Sequence, residues 1–354
     1  MTPPIQSAYL MPPSWKIYKT LIDPSNEPFG DIAMRQIDGE CVTGFSHDHY
    51  GYIDYVRGGE TTSYIDLPVF GAQLNLSTGK LTVTGGADVA NGGWEPALAY
   101  DGEHICILHH SDALDYEDPN TDLLITYGDG STFNTYTFGA SPLWDTYGPI
   151  SLVYWHGNFY AYFDRWVGSP QLVKYKCSSY DGSGYSAVSI GSGEYPEMAY
   201  NVLPSDTLPD MLYVSRVYNH YIDGWSIDVS WDNGTIPLSG YSTNIKFPTY
   251  PSTHGIAVFQ DKLMIAHWID NTQIVSRVFR YKDTIEDPYI PGSPYMRFDE
   301  IDVQYLPKFD GPVYGGPHAA PRLANTIIGG INVPCIAYTA MIDGDSYIIN
   351  GMYR

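Results

Sequence analysis

The chain has 354 residues, with 18 Lys plus Arg against 40 Asp plus Glu and a formal net charge of −22. So few basic residues exclude a nucleic-acid binder, which needs a basic footprint on the phosphates, and equally a protein that docks on anionic lipid. With 32 Tyr, 8 Trp, 12 Phe and 35 Gly, and no long segment of helical apolar periodicity, the composition points to an all-β fold.

The N-terminal stretch MTPPIQSAYLMPPSWK lacks a charged n-region and an apolar h-region. It is not expected to be a secretory signal, and synthesis in the cytoplasm is the expectation. No apolar run of about 18 residues occurs, so no membrane insertion is expected. Cys41, Cys106, Cys177 and Cys335 are far apart in apolar runs and read as reduced core thiols.

The first predicted element is a strand at about 15–23, WKIYKTLID. After it the chain repeats itself. Copies begin at about 30 (GDIAMRQIDGECVTGFSHDHY), 95 (EPALAYDGEHICILHHSD), 148 (GPISLVYWHGNFYAYFDRW), 195 (YPEMAYNVLPSDTLPDMLYVSRVYNH), 253 (THGIAVFQDKLMIAHWID) and 320 (APRLANTIIGGINVPCIAYTAMID). Each is a short apolar strand, a polar turn and a second strand rich in aromatics. Between copies lie further strand pairs, such as QLVKYKCSSYDG with SGYSAVSIG, and GWSIDVSWDNG with TIPLSGYS. Four strands per copy make a blade, and six copies predict a six-bladed β-propeller of four-stranded antiparallel blades, a single domain over 1–354. The last copy has only a third strand, SYIINGMYR. The strand at 15–23 is therefore predicted to supply the fourth and close the ring, removing an open sheet edge. The Pro-rich segment 283–316 reads as an insertion in the fifth blade, loop plus an irregular outer strand.

The turns TYGDGSTF (126–133), SSYDGSGY (178–185) and SWDNGTI (230–236) resemble the Asp-box of the sialidase-type propellers, Ser/Thr-x-Asp-x-Gly-x-Thr-aromatic. The first two shift the Asp by one position and the third lacks the final Thr-aromatic pair. The Asp-box is a structural hairpin, so the resemblance implies fold and not activity. The Arg-Ile-Pro strand of sialidases is absent; AMRQID stands at Arg35. Two shorter resemblances concern enzymes. HAAPRL (318–323) is similar to the His-x-x-Pro-x-Leu strand of some propeller lyases, and GPISLVYWHGNFYAYF to the glycine-proline strand of five-bladed glycosidases.

Strand direction alternates within a blade, so one face of the ring, the top, collects the starts of first strands and the ends of second strands. His104 and His156 fall at the bottom. His47, His49, His109, His110, His220 and His267 fall late in second strands, and His254 and His318 at first-strand starts, all towards the top. A sequence-distant set converging on one mouth is the pattern of a site. Glu95, His110, Asp112, Trp166, Glu194, Tyr218, Trp268 and Asp270 obey the same rule and are candidate ligand-binding residues. Aromatic faces with polar edges suit sugar rings, and acids and histidines suit their hydroxyls.

The leading expectation is therefore carbohydrate recognition without chemistry, by a virion or phage tail-associated protein meeting host surface glycans, with other virion proteins as further partners. The alternatives stay open. A polysaccharide lyase would need a cation against a uronate carboxylate and a His or Tyr to take the α-proton; its candidates are His254, His267, His318, Arg165 and Tyr162. A glycosidase would need carboxylates about the axis, and Asp31, Glu95 and Glu194 are at that level. A propeller that only docks proteins is the third reading. No cofactor is expected. For a metal, His47 and His49 stand two apart on one strand side, and DALDYEDPNTD (112–122) offers Asp112 and Asp115 as oxygen ligands for Ca²⁺, or a solvated acidic loop.

Overall fold

The computed structural model describes residues 13–23, 32–37, 40–47, 52–58, 65–67, 72–75, 80–83, 97–110, 123–128, 133–137, 150–166, 170–179, 184, 186–203, 205–220, 224–234, 242–245, 253–269, 272–311 and 320–353. Side chains are outside this description throughout 32–83 and at some other strand positions, among them His109, His110, Arg165 and Trp166.

The described strands, in chain order, are β1 (Trp15–Asp23), β2 (Ile32–Ile37), β3 (Glu40–His47), β4 (Tyr52–Gly58), β5 (Ile65–Leu67), β6 (Ala72–Asn75), β7 (Lys80–Val83), β8 (Ala97–Tyr100), β9 (Ile105–His110), β10 (Leu123–Gly128) and β11 (Phe133–Thr137). There follow β12 (Ser151–Trp155), β13 (Asn158–Trp166), β14 (Pro170–Cys177), β15 (Ser186–Ser192), β16 (Glu194–Ala199), β17 (Leu212–His220), β18 (Gly224–Asp232) and β19 (Ser242–Thr243). The last are β20 (His254–Phe259), β21 (Lys262–Trp268), β22 (Ile274–Glu286), β23 (Pro294–Tyr305), β24 (Arg322–Ile328), β25 (Ile331–Ile342) and β26 (Asp345–Tyr353). No described helix is long and apolar enough to cross a membrane.

These strands build six radial sheets. Blade 1 is β2-β3-β4, blade 2 β8 to β11, blade 3 β12 to β15, blade 4 β16-β17-β18, blade 5 β20 to β23, and blade 6 β24-β25-β26 with β1. The innermost strands β2, β8, β12, β16, β20 and β24 each touch the next, and β24 touches β2, so the ring is closed. Blades 1 and 4 show three strands among the described residues. Blade 5 has five, because β19 pairs parallel with β23. A further three-stranded sheet, β5-β6-β7, lies beside β4.

Closure runs as the missing fourth strand requires. β1 pairs antiparallel with β26 from Trp15↔Tyr353 to Asp23↔Ser346. The Trp15 ring packs on Tyr353, and its Nε1–H donates to Ser276 Oγ of blade 5 at 2.7 Å. The segment expected as loop plus irregular strand differs. Most of 283–305 is a hairpin: β22 and β23 pair along nearly their whole length, with two bulges, from Val275↔Tyr305 to Glu286↔Pro294.

Blades 3, 4 and 5 are packed on both faces by neighbouring blades, so successive residues of their strands point into successive interfaces. In β20, Ile256 and Val258 pack towards blade 4, and Ala257 and Phe259 towards blade 6. Gly255 is required by this packing. A Cβ there would meet the Pro321 carbonyl oxygen at 2.2 Å, so only glycine lets β24 lie this close to β20.

The Asp-box-like turn at 230–234 is tied by its aspartate. Asp232 Oδ1 accepts the Gly234 N–H at 2.8 Å. Its Oδ2 accepts from Tyr162 Oη at 2.6 Å and pairs with Lys174 Nζ, all three side chains being sealed between blades 3 and 4. Cys106, Cys177 and Cys335 are free, buried thiols.

Candidate functional site

At the starts of the inner strands lies a polar layer from four blades: Ser151 (blade 3), Glu197 (blade 4), His254 (blade 5) and Arg322 (blade 6), each buried. Arg322 Nη1 forms an ion pair with Glu197 Oε1 past the blade 5 strand, where Gly255 narrows the ring. Ser151 Oγ accepts the Met198 N–H at 2.9 Å and donates to Glu197 Oε2 at 3.5 Å.

His254 and His267 are register partners in β20 and β21. Ser215 Oγ donates to the Glu197 carbonyl at 3.4 Å, so it accepts from His254 Nε2–H at 2.7 Å. His267 Nδ1–H donates to the Trp268 carbonyl at 3.0 Å. Burial, then the neighbouring His267, lowers the His254 pKa to about 3. Burial lowers that of His267 to about 4; its bond to the Trp268 carbonyl opposes this and the Arg277 charge adds to it. Two neutral rings, 1% and 2% exposed, are poor proton acceptors for a substrate near neutral pH.

Several residues expected at the mouth are thus interior. His254 and His267 face the joint of blades 4 and 5. Tyr162 is wholly buried, and burial and then the Asp232 charge raise its pKa well above the usual value, so it cannot act as a base. Trp268 is buried, its ring edge-on to Tyr338 at 5.8 Å. The common reason is that inner and second strands are covered on both faces, which strand position in the sequence does not reveal. Glu194 is half-buried at the start of β16, its carboxyl pKa raised by burial. Glu95, Asp112, Asp115, Asp270, His49 and His318 lie outside the described residues. For His47, His110, Arg165 and Trp166 the structure describes the strand and not the side chain. Among the described residues no three His, Cys, Asp or Glu are grouped to hold a metal ion. His104 and His156 stand at the first-to-second-strand turns, beside Asp101 (3.4 Å) and Asp210 (2.9 Å).

Tyr218 belongs to a different cluster, on the face of blade 4 turned to blade 3. Along β17, Leu212 and Val214 pack against Val153, Tyr160, Tyr162 and Leu172 of blade 3, so Arg216 and Tyr218 share that side. The Arg216 guanidinium lies over the Tyr218 ring, 5.5 Å from its centroid. Gly193 makes room for the arginine stem, since a Cβ there would come 2.7 Å from Arg216 Cδ. Arg216 Nε is buried with no hydrogen-bond partner among the described residues. Asp228 stands opposite Arg216 in the register, where its carboxylate accepts from Ser226 Oγ at 2.8 Å. A half-buried arginine, aspartate and tyrosine thus present donors, acceptors and a flat apolar ring on one surface. Sequence reasoning reached Tyr218. It missed Asp228, whose spacing from Arg216 is legible only once β17 and β18 are paired.

The fold and this geometry define a six-bladed β-propeller. No protein-family model and no curated protein matches the chain. Solved structures do. A lectin from Aleuria aurantia with a six-bladed β-propeller fold aligns at 13% identity over 90% of each chain, TM-score 0.54. A lectin in complex with alpha methyl fucoside aligns at 12% identity over 90% of this chain and 94% of that one, TM-score 0.53. An alpha-L-arabinofuranosidase from Fusarium graminearum aligns at 8% identity over 96% and 97%, TM-score 0.55. At these identities the likeness is one of fold.

Proposed function

We propose that the protein is a carbohydrate-binding propeller that holds a sugar at the joint of blades 3 and 4. The observation that carries this is Arg216: a guanidinium over the Tyr218 ring, opposite Asp228 in the register, with a buried Nε that has no hydrogen-bond partner among the described residues. Charged donors and acceptors beside an aromatic ring can grip vicinal hydroxyls through charge-assisted hydrogen bonds while the ring covers an apolar sugar face. The net charge of −22 and the nearby Asp228 favour a neutral sugar over a uronate. The two lectins of the same fold, one with alpha methyl fucoside, support the reading. Trp166, in the same alternate set of β13 positions as Tyr160 and Tyr162, is proposed to complete it.

Binding is favoured over cleavage by the state of Glu197. This inner-strand carboxylate is neutralised by Arg322 and shut from solvent, so it offers neither acid nor nucleophile. That the protein is carried on a virion or phage tail, with other virion proteins as partners, is a proposal from its Gly/Tyr-rich, Lys-poor composition alone.

The experiment is a glycan array with neutral and uronate-containing glycans, followed by incubation of each binder and an assay for unsaturated or reducing-end products. Retained binding to neutral glycans with no product supports the reading. Product formation at a rate above buffer, or binding confined to uronate glycans, overturns it.

A further inference from the structure

Between blades 3 and 4 a lysine and an aspartate meet out of reach of solvent. Tyr162 of β13 and Lys174 of β14 are register partners, and Tyr162 packs towards blade 4 with Tyr160 and Leu172, so Lys174 shares that side. Asp232 is the last residue of β18 in blade 4. Lys174 and Asp232 are 0% and 1% exposed, and Nζ lies against Oδ2. The Tyr162 hydroxyl donates to the same Oδ2 at 2.6 Å, while Oδ1 accepts the Gly234 N–H at 2.8 Å. Val153, Met198, Leu212 and Val214 line the joint.

A charge pair in such a place carries a large desolvation cost. Passing one proton from Nζ to Oδ2 removes both charges and leaves an amine beside a carboxylic acid. Burial lowers the Lys174 pKa, against the pull of Asp232, which brings the amine within reach. A neutral lysine amine is a nucleophile. Fixed against its target, it reacts as though present at about 10⁵–10⁸ M. The Gly234 N–H is placed to stabilise the oxyanion that forms on Oδ1. The buried pair Glu197–Arg322 has no such course open to it, since a guanidinium keeps its proton.

We infer that Lys174 and Asp232 condense to an amide, a covalent tie between blades 3 and 4. The Nζ–Cγ bond forms and the Cγ–Oδ2 bond breaks. Of the three ammonium protons, one stays on the amide nitrogen and two leave on Oδ2 as water. The first reaches Oδ2 as the pair becomes neutral. Tyr162, hydrogen-bonded to Oδ2 and in register with Lys174, relays the second as general acid. Nothing is oxidised or reduced, and no co-reactant is needed. The inference does not rest on the sugar site.

The test takes the full chain, incubated folded at neutral pH, then denatured, cut with trypsin and read by mass spectrometry. The expected product joins 166–176, uncut at Lys174, to 217–246. Its mass is one water below the sum of the two, and its fragments place the link at Lys174 and Asp232. Lys174→Met and Asp232→Ala should each give 217–246 unlinked. Either variant can fail to fold, and the parent digest tests the inference without them. Tyr162→Phe keeps the Gly234 N–H and should link about tenfold more slowly or worse, so that it is part-linked when first purified and fully linked after storage. Recovery of 217–246 at full mass from the parent, with cleavage at Lys174, would overturn the inference. So would a loss of water confined to one peptide, the mark of a cyclic imide. Full linkage of Tyr162→Phe in the first sample would overturn the relay role of Tyr162. Loss of glycan binding in the arrays would leave the inference untouched.

Discussion

His254 of blade 5 and Ser215 of blade 4 meet with Nε2 2.7 Å from Oγ, both sealed from solvent. A proton added to this imidazole would go on Nδ1, which is buried with no hydrogen-bond partner among the described residues, so burial holds the ring neutral. In the folded state His254 titrates at about 3 and His267 at about 4, against 6.5 for a free histidine. Between those values the unfolded chain takes up protons that the folded chain refuses, so their stabilisation is full above pH 6.5 and is lost as pH falls. Each ring can contribute a slope of up to about 1.4 kcal/mol per pH unit. Glu194, with a raised carboxyl pKa, acts in the opposite sense. Urea midpoints should fall from pH 7 to pH 4.5, and His254→Asn should flatten the profile. An unchanged slope in the variant would show that these rings are not the cause.

The Glu197–Arg322 pair predicts a non-additive result. Removing one partner leaves the other charge buried and unpaired, a loss of about 3–5 kcal/mol. Glu197→Gln and Arg322→Met should each lower the urea midpoint steeply, and the double variant should recover most of the loss. Additive losses in the double-mutant cycle would mean that the two side chains do not interact.

Tyr162 separates a structural role from a chemical one. Tyr162→Phe removes one hydrogen bond to Asp232 and should cost about 1–2 kcal/mol, with glycan binding unchanged. Asp232→Ala strips the buried Lys174 of its counter-charge and should cost about 3–5 kcal/mol. Chemical denaturation of both variants checks the order of the two losses. A lower stability for Tyr162→Phe than for Asp232→Ala would reverse the assignment.

Ring closure can be tested at Trp15. Trp15→Phe keeps the ring against Tyr353 and loses the bond to Ser276, about 1 kcal/mol. Trp15→Ala should lose about 2 kcal/mol for a half-buried ring. A chain starting after Asp23 exposes β26 as an open edge and should aggregate on warming, as light scattering would show. A truncated chain as soluble and stable as the parent would contradict closure by β1.

Much of the ring was legible because its signals are local. The short apolar strands, the polar turn DGEH with Asp101 binding the Glu103 and His104 N–H groups, and the unpaired strand at 15–23 lie within a few tens of residues. The length of the β22–β23 hairpin was not legible. Its prolines, at 288, 291 and 294, sit in the tip and at the start of β23, where they look like a loop but interrupt no ladder. The site was only partly legible. Trp268 and Tyr162 have mouth-like positions, but strands covered on both faces bury them. Glu197 and Arg322 are a long way apart in sequence, and their pairing depends on how closely Gly255 lets two blades approach. Asp228 acquires meaning only from its register with Arg216.

The central claim is that sugar binds at the joint of blades 3 and 4. The most direct measurement is calorimetric titration of a neutral glycan found on the array into the parent chain, Arg216→Ala and Tyr218→Leu, with thermal midpoints recorded alongside. Folded variants that lose about tenfold or more in affinity are the predicted result. Parental affinity in both folded variants would place the sugar elsewhere and contradict the account.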